Sequence, residues 1–77
     1  MDALTKNVSN YVKERGISVS QMARQTGIPY GALYDSLLHS ERDRELRAKE
    51  LIAICNYIGV DPMFFADKDA SEDWEKK

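Results

Sequence analysis

With 77 residues, 43% of them hydrophobic and 31% charged, the chain has the size and composition of one small globular domain. Its single cysteine excludes an intramolecular disulfide, and the longest unbroken apolar run, Leu51–Cys55, is far too short to span a membrane. The net charge of −2 comes from the end: residues 1–66 hold eight Lys/Arg and eight Asp/Glu, residues 67–77 three and five, so an electrically neutral domain with weak nonspecific affinity for nucleic acid is expected.

A first helix is predicted over about Ala3 to Arg15. Leu4, Val8, Tyr11 and Val12 form its apolar stripe, Arg15 lays its stem along the edge of that stripe, and Gly16 closes the helix. Ser18 then stands as an N-cap with Gln21 three residues on, the spacing of a capping box, while Ile17 and Met22 fall where a hydrophobic staple forms. Val19, Met22, Ala23 and Thr26 follow on one face of a second helix. Gly27 sits where a helix end needs a left-handed residue, and Pro29 pre-sets the backbone for a third helix. Leu33 and Leu37 face inward from that helix, with the small Ser36 beside them.

The charged stretch from His39 to Glu45 carries no apolar period and reads as a loop or an irregular extension of helix 3. Leu46 leads into a fourth helix over about Arg47 to Tyr57, with Leu51, Ile54, Cys55 and Ile58 on its inner face and Gly59 at its end. Cys55 on that face is expected to be a buried core thiol rather than a reactive one. Val60, Asp61 and Pro62 supply a staple residue, an N-cap and an N1 proline for a short fifth helix, with Phe65 placed to meet Val60. From Asp67 the chain is acidic and polar around a single Trp74, and a flexible tail is expected there.

The small Ala23, Gly27 four residues later and Leu33 six after that make a helix-turn-helix pattern, since two helices crossing steeply need a small side chain at the crossing. The segment from Ile17 to Leu38 resembles the Cro and lambda-repressor-like (XRE-type) DNA-binding family, and Leu46–Phe65 is similar to that family's closing helices. The resemblance covers roughly residues 4 to 65. It implies an all-α, compact five-helix lambda-repressor-like domain over residues 1–66, followed by the acidic tail of residues 67–77.

The resemblance also implies a way of reading DNA, in which the N-terminal half of helix 3 enters the major groove. Tyr30, Gly31, Tyr34 and Asp35 are the outward residues there and the candidates for base readout. Ser20 and Gln21, at the start of helix 2, are placed near the phosphate backbone, with Arg24 on the outer face of the same helix and His39, Arg42 and Arg44 beyond helix 3 as further phosphate candidates. Gln21 has capping as its competing role. Arg42 and Arg44 have a solvated loop as theirs, and Glu41, Asp43, Glu45 and Glu50 are available to tie such residues up in surface pairs.

The sequence departs from the family pattern in specific places. Val19 stands where members often carry Gln after the Ser cap, and Pro29 where they often carry Ser. No Lys or Arg occurs from Gln25 through Glu41, so the usual guanine reader, a bidentate Arg, is missing from helix 3. Tyr30 and Tyr34 are left to contact phosphate or a thymine methyl, Asp35 to accept from cytosine N4, and Gly31 to allow close approach of the backbone.

Catalysis has little support. One His and one Cys in separate segments make neither a metal quartet nor a Cys–His pair, and the glycines at 16, 27, 31 and 59 stand too far apart for a phosphate loop. No cofactor, metal or small-molecule substrate is expected. The polar N-terminus lacks a signal-peptide core, so a cytoplasmic location is expected. The expected function is a sequence-specific regulator of transcription, a repressor of prokaryotic or phage type bound to double-stranded DNA. One such domain touches few base pairs, so a homodimer on a two-fold operator is expected, with Tyr57, Met63 and Phe64 as candidates for its interface and core packing as their competing role. The alternative is a protein-binding module, antirepressor or antitoxin-like, using the same aromatic face.

Overall fold

The computed structural model describes residues 3–39, 41 and 44–66, all helix, turn or loop; among these described residues there is no strand. Helix α1 spans Ala3–Arg15, α2 Val19–Thr26 and α3 Tyr30–Leu33, and α3 continues without a break into a wide turn over Tyr34–Leu38. Helix α4 spans Ala48–Ile58, and a last short helix, α5, covers residues 62–66. The expected tail with Trp74, and Ser40, Arg42 and Asp43 in the charged stretch, lie outside the described residues.

The helix ends are made locally. Ser18 is extended, and its Oγ accepts from the Gln21 backbone N–H at 3.1 Å. At the other end Gly27 adopts φ 80° and its N–H donates 2.9 Å to the Ala23 carbonyl, a left-handed stop that would strain any residue with a Cβ. Pro29 accepts from the N–H groups of Ala32 and Leu33 through its carbonyl, which starts α3 immediately after the turn. Asp61 caps α5 with its side chain on Met63 N–H and its carbonyl on Phe64 N–H, both at 2.8 Å.

These stops aim one apolar face of each helix inward. Val8 and Val12 of α1, Val19, Met22 and Ala23 of α2, Ile28, Leu33, Leu37, Leu46, Ile54, Cys55 and Phe65 form a single core. Leu4, Tyr11, Ile17, Leu51, Ile58 and Val60 pack against its rim. Helix α2 packs on both α3 and α4, while α1 supports the wide turn. Arg15 lies over the Tyr11 ring at 4.5 Å, so its stem does follow the apolar edge. Cys55 is buried, and burial pushes its thiol up from its ordinary range, with the Asp61 charge adding to the shift.

Three polar side chains of α1 do work the apolar pattern does not reveal. Buried Thr5 accepts from the Leu46 N–H through Oγ1 at 3.0 Å, and buried Ser9 donates from Oγ to the Leu37 carbonyl at 2.6 Å. Asn7 donates from Nδ2 to the Phe65 carbonyl at 2.8 Å, tying the start of the chain to α5. Each bond satisfies a backbone group that would otherwise be costly to bury.

Candidate nucleic-acid interface

The exposed face of α3 carries no positive charge. Tyr30 and Tyr34, 49% and 40% exposed, stand one turn apart with ring centroids 6.0 Å from each other. The His39 ring continues the row 5.8 Å beyond Tyr34. Gly31 is exposed between them, and a Cβ built there meets nothing within 4 Å, so no contact inside the protein calls for a glycine at that position. Asp35 sits half-buried at the edge of the same face.

This face is held from behind. Leu33 and Leu37 enter the core, and Ser36 between Asp35 and Leu37 is 0% exposed. The His39 N–H reaches back five residues to the Tyr34 carbonyl at 2.8 Å, which widens the last turn beyond α-helical spacing. The expected plain third helix is therefore an α-turn followed by a π-type turn. Two side chains from other elements fix the widened part: Ser9 on the Leu37 carbonyl and Arg44 on Ser36.

Of the residues expected near phosphate, Ser20 and Arg24 are exposed on the outer face of α2, where the Arg24 guanidinium donates to Ser20 Oγ at 3.4 Å. Gln21 is exposed, and it is its backbone N–H that takes part in the cap. His39 Nε2 lies 3.8 Å from the Glu41 carboxylate, an exposed pair of little energetic consequence. Arg42 lies outside the described residues.

Arg44 stands apart from these. Its Nη1 donates to Glu50 Oε1 at 3.0 Å and its Nη2 to Glu50 Oε2 at 2.9 Å, a two-pronged ion pair, while Nη1 also reaches Ser36 Oγ at 2.8 Å. The carboxylate that takes up Arg44 is Glu50, and it simultaneously accepts the Arg47 backbone N–H at 2.9 Å as the N3 residue of α4. Serine, arginine and glutamate at positions 36, 44 and 50 show no common periodicity, so their convergence is visible only in three dimensions. The one sequence signal is Glu50, three residues after the N-cap Arg47 of α4.

The Arg44 hydrogen bonds hold the Glu50 carboxyl below its ordinary value of 4.5, with burial opposing and the Arg47 N–H assisting. A carboxyl with a lower value folded than unfolded contributes stability above its unfolded value and loses it as pH falls through the folded one. The stability difference between wild type and Glu50→Gln is therefore expected to be full near pH 7 and to shrink well below pH 4.5, as thermal unfolding at the two pH values would register.

Among the described residues, no three His, Cys, Asp or Glu side chains gather as a metal site, and no helix is long and apolar enough to cross a membrane. In comparisons with known proteins, the family described as the Cro/C1-type HTH DNA-binding domain matches residues 7–63, most of the chain. Searches of curated proteins and of solved structures found no match.

Proposed function

The chain belongs to the Cro/C1-type helix-turn-helix DNA-binding family, and on that footing we propose that it is a sequence-specific repressor acting in the cytoplasm on a two-fold operator. The observation that carries this reading is the exposure of Tyr30, Gly31 and Tyr34, with half-buried Asp35 at their edge, on the helix that follows the turn and is backed by buried Leu33, Ser36 and Leu37. In such an arrangement the aromatic rings suit thymine methyl groups, and the Asp35 carboxylate suits an amino donor such as cytosine N4. Ser20, Gln21, Arg24, His39 and Arg42 are assigned to the flanking phosphates.

A homodimer is proposed because one domain of this size reads too few base pairs for a specific site. Met63 at 58% exposure, with Tyr57 and Phe64, supports an interface on the α5 side. The Phe64 ring also meets Tyr11 and Phe65 edge-on at 5.9 and 5.3 Å, so part of its surface belongs to the domain itself. We also propose that the folded unit ends near Ala66, since Phe65 is the last core residue among the described ones, and that residues 67–77 form an acidic tail.

Gly31→Ala tests the reading without harming the fold. The added methyl has open space and a compatible backbone, so stability is expected to rise by about 0.4–1 kcal/mol. Affinity for a duplex selected from random sequence is expected to fall roughly fivefold or more, as a groove contact is pushed away. Unchanged affinity in an anisotropy titration would set the α3 backbone back from the groove.

The protein-binding alternative rests on the same aromatic residues, Tyr30 and Tyr34, with Leu38 of the widened turn also exposed. A partner protein would bury these rings as readily as a groove would. The two readings part on whether any duplex binds.

A further inference from the structure

Arg44 bridges the widened turn after α3 and the first turn of α4 by side-chain hydrogen bonds. Its guanidinium is anchored by both oxygens of Glu50, and Glu50 is itself fixed to the first turn of α4 through the Arg47 N–H. Helix α4 runs into the core at Ile54 and Cys55, so the anchor is rigid. From that anchor Arg44 reaches Ser36 Oγ at 2.8 Å, in the widened turn directly after Tyr34 and Asp35. The turn replaces the i→i−4 ladder with wider i→i−5 spacing, as in the His39 N–H bond to the Tyr34 carbonyl, a geometry rare in helices. The Ser36 contact adds a bond to that turn from outside.

We propose that Arg44 is a positioning residue for base readout, holding Tyr34 and Asp35 at their angle through Ser36, rather than a phosphate contact. The proposal rests on the DNA-binding reading. Its geometry is particular to a planar fork: one face of the guanidinium's donors spans Glu50 while Nη1 is shared with Ser36, which a lysine ammonium cannot reproduce.

The two roles predict opposite results for three variants, Arg44→Lys, Arg44→Gln and Glu50→Gln. Affinity for a selected duplex and for a scrambled one is measured by fluorescence anisotropy at several salt concentrations, below the melting range of every variant. A positioning role predicts that all three lose about tenfold in the ratio of selected to scrambled affinity, the scale of one displaced base contact, with an unaltered salt slope on the scrambled duplex. A phosphate contact predicts instead that Arg44→Gln lowers the slope by about one, that Arg44→Lys preserves it, and that Glu50→Gln tightens every duplex by freeing the arginine. That pattern overturns the proposal, as does an unchanged ratio in all three, which leaves the clamp a structural feature alone. If an Arg44 variant does not fold, Ser36→Ala gives the same reading, because it cuts the contact to the turn while leaving the Arg44–Glu50 pair in place. Failure of the wild type to bind any duplex would be seen separately, and would remove the DNA-binding reading itself.

Discussion

Ala23→Leu is expected to destabilise the domain by about 1–3 kcal/mol, by forcing extra methyl groups into a packed interior. Ala23 lies on the buried face of α2, its carbonyl accepts the N–H of Gly27 at the turn, and α3 packs directly against α2. A larger side chain there must push α3 away or leave its rotamer well. Both outcomes move the exposed Tyr30–Asp35 face relative to α2. Urea unfolding should show a lowered midpoint with little change in slope. Near-unchanged stability would mean that the two helices do not depend on a small residue at this point.

The second large effect concerns readout. Tyr34→Ala and Asp35→Ala are expected to relax sequence preference at one position each, by roughly 1–3 kcal/mol per lost base contact. In a two-fold complex each loss occurs in both half-sites, so the effect on the operator is about twice that. Neither change reaches the core, because Leu33, Ser36 and Leu37 supply the buried side of the helix. Melting temperature should therefore hardly move while the selected consensus changes. Arg42→Ala, by contrast, is expected to weaken every duplex equally and to lower the salt slope by about one. With no Lys or Arg from Gln25 through Glu41, the wild-type slope per subunit should itself be shallow.

What could be read from the sequence was what is decided within a few residues. Ser18, Gly27, Asp61 and Pro62 mark helix ends because capping and left-handed backbone are local requirements, and the structure places the ends there. The inward Leu33 and Leu37, with small Ser36 beside them, followed from helical spacing, as did buried Cys55, while Phe65 followed from its staple position opposite Val60. Thr5 and Ser9 escaped notice because a hydroxyl gives no apolar signal, and their partners, Leu46 and Leu37, are 41 and 28 residues away. The widened turn at Tyr34–Leu38 was equally hidden, since its sequence fits an ordinary helix and its shape is held by Ser9 and Arg44 from elsewhere.

For the candidate interface the same division holds. The exposure of Tyr30, Gly31 and Tyr34 follows from the period that buries Leu33 and Leu37, so that face could be named in advance. Arg44 could not be assigned, because its fate depends on whether Glu50 and Ser36 come within reach, and neither shares a periodicity with it. Its guanidinium is engaged in a half-buried, two-pronged pair, which is the ground for proposing that it positions the turn instead of contacting phosphate.

Selection of bound sequences from random duplex DNA, followed by anisotropy titration of the best sequence at several salt concentrations, tests the central claim most directly. The expected result is a two-fold symmetric consensus, bound more tightly than micromolar, whose preferred bases change in Tyr34→Ala and Asp35→Ala. If no duplex binds better than micromolar while Tyr30→Ala and Tyr34→Ala abolish capture of a protein partner, the α3 face is a protein-docking surface and the DNA reading is contradicted.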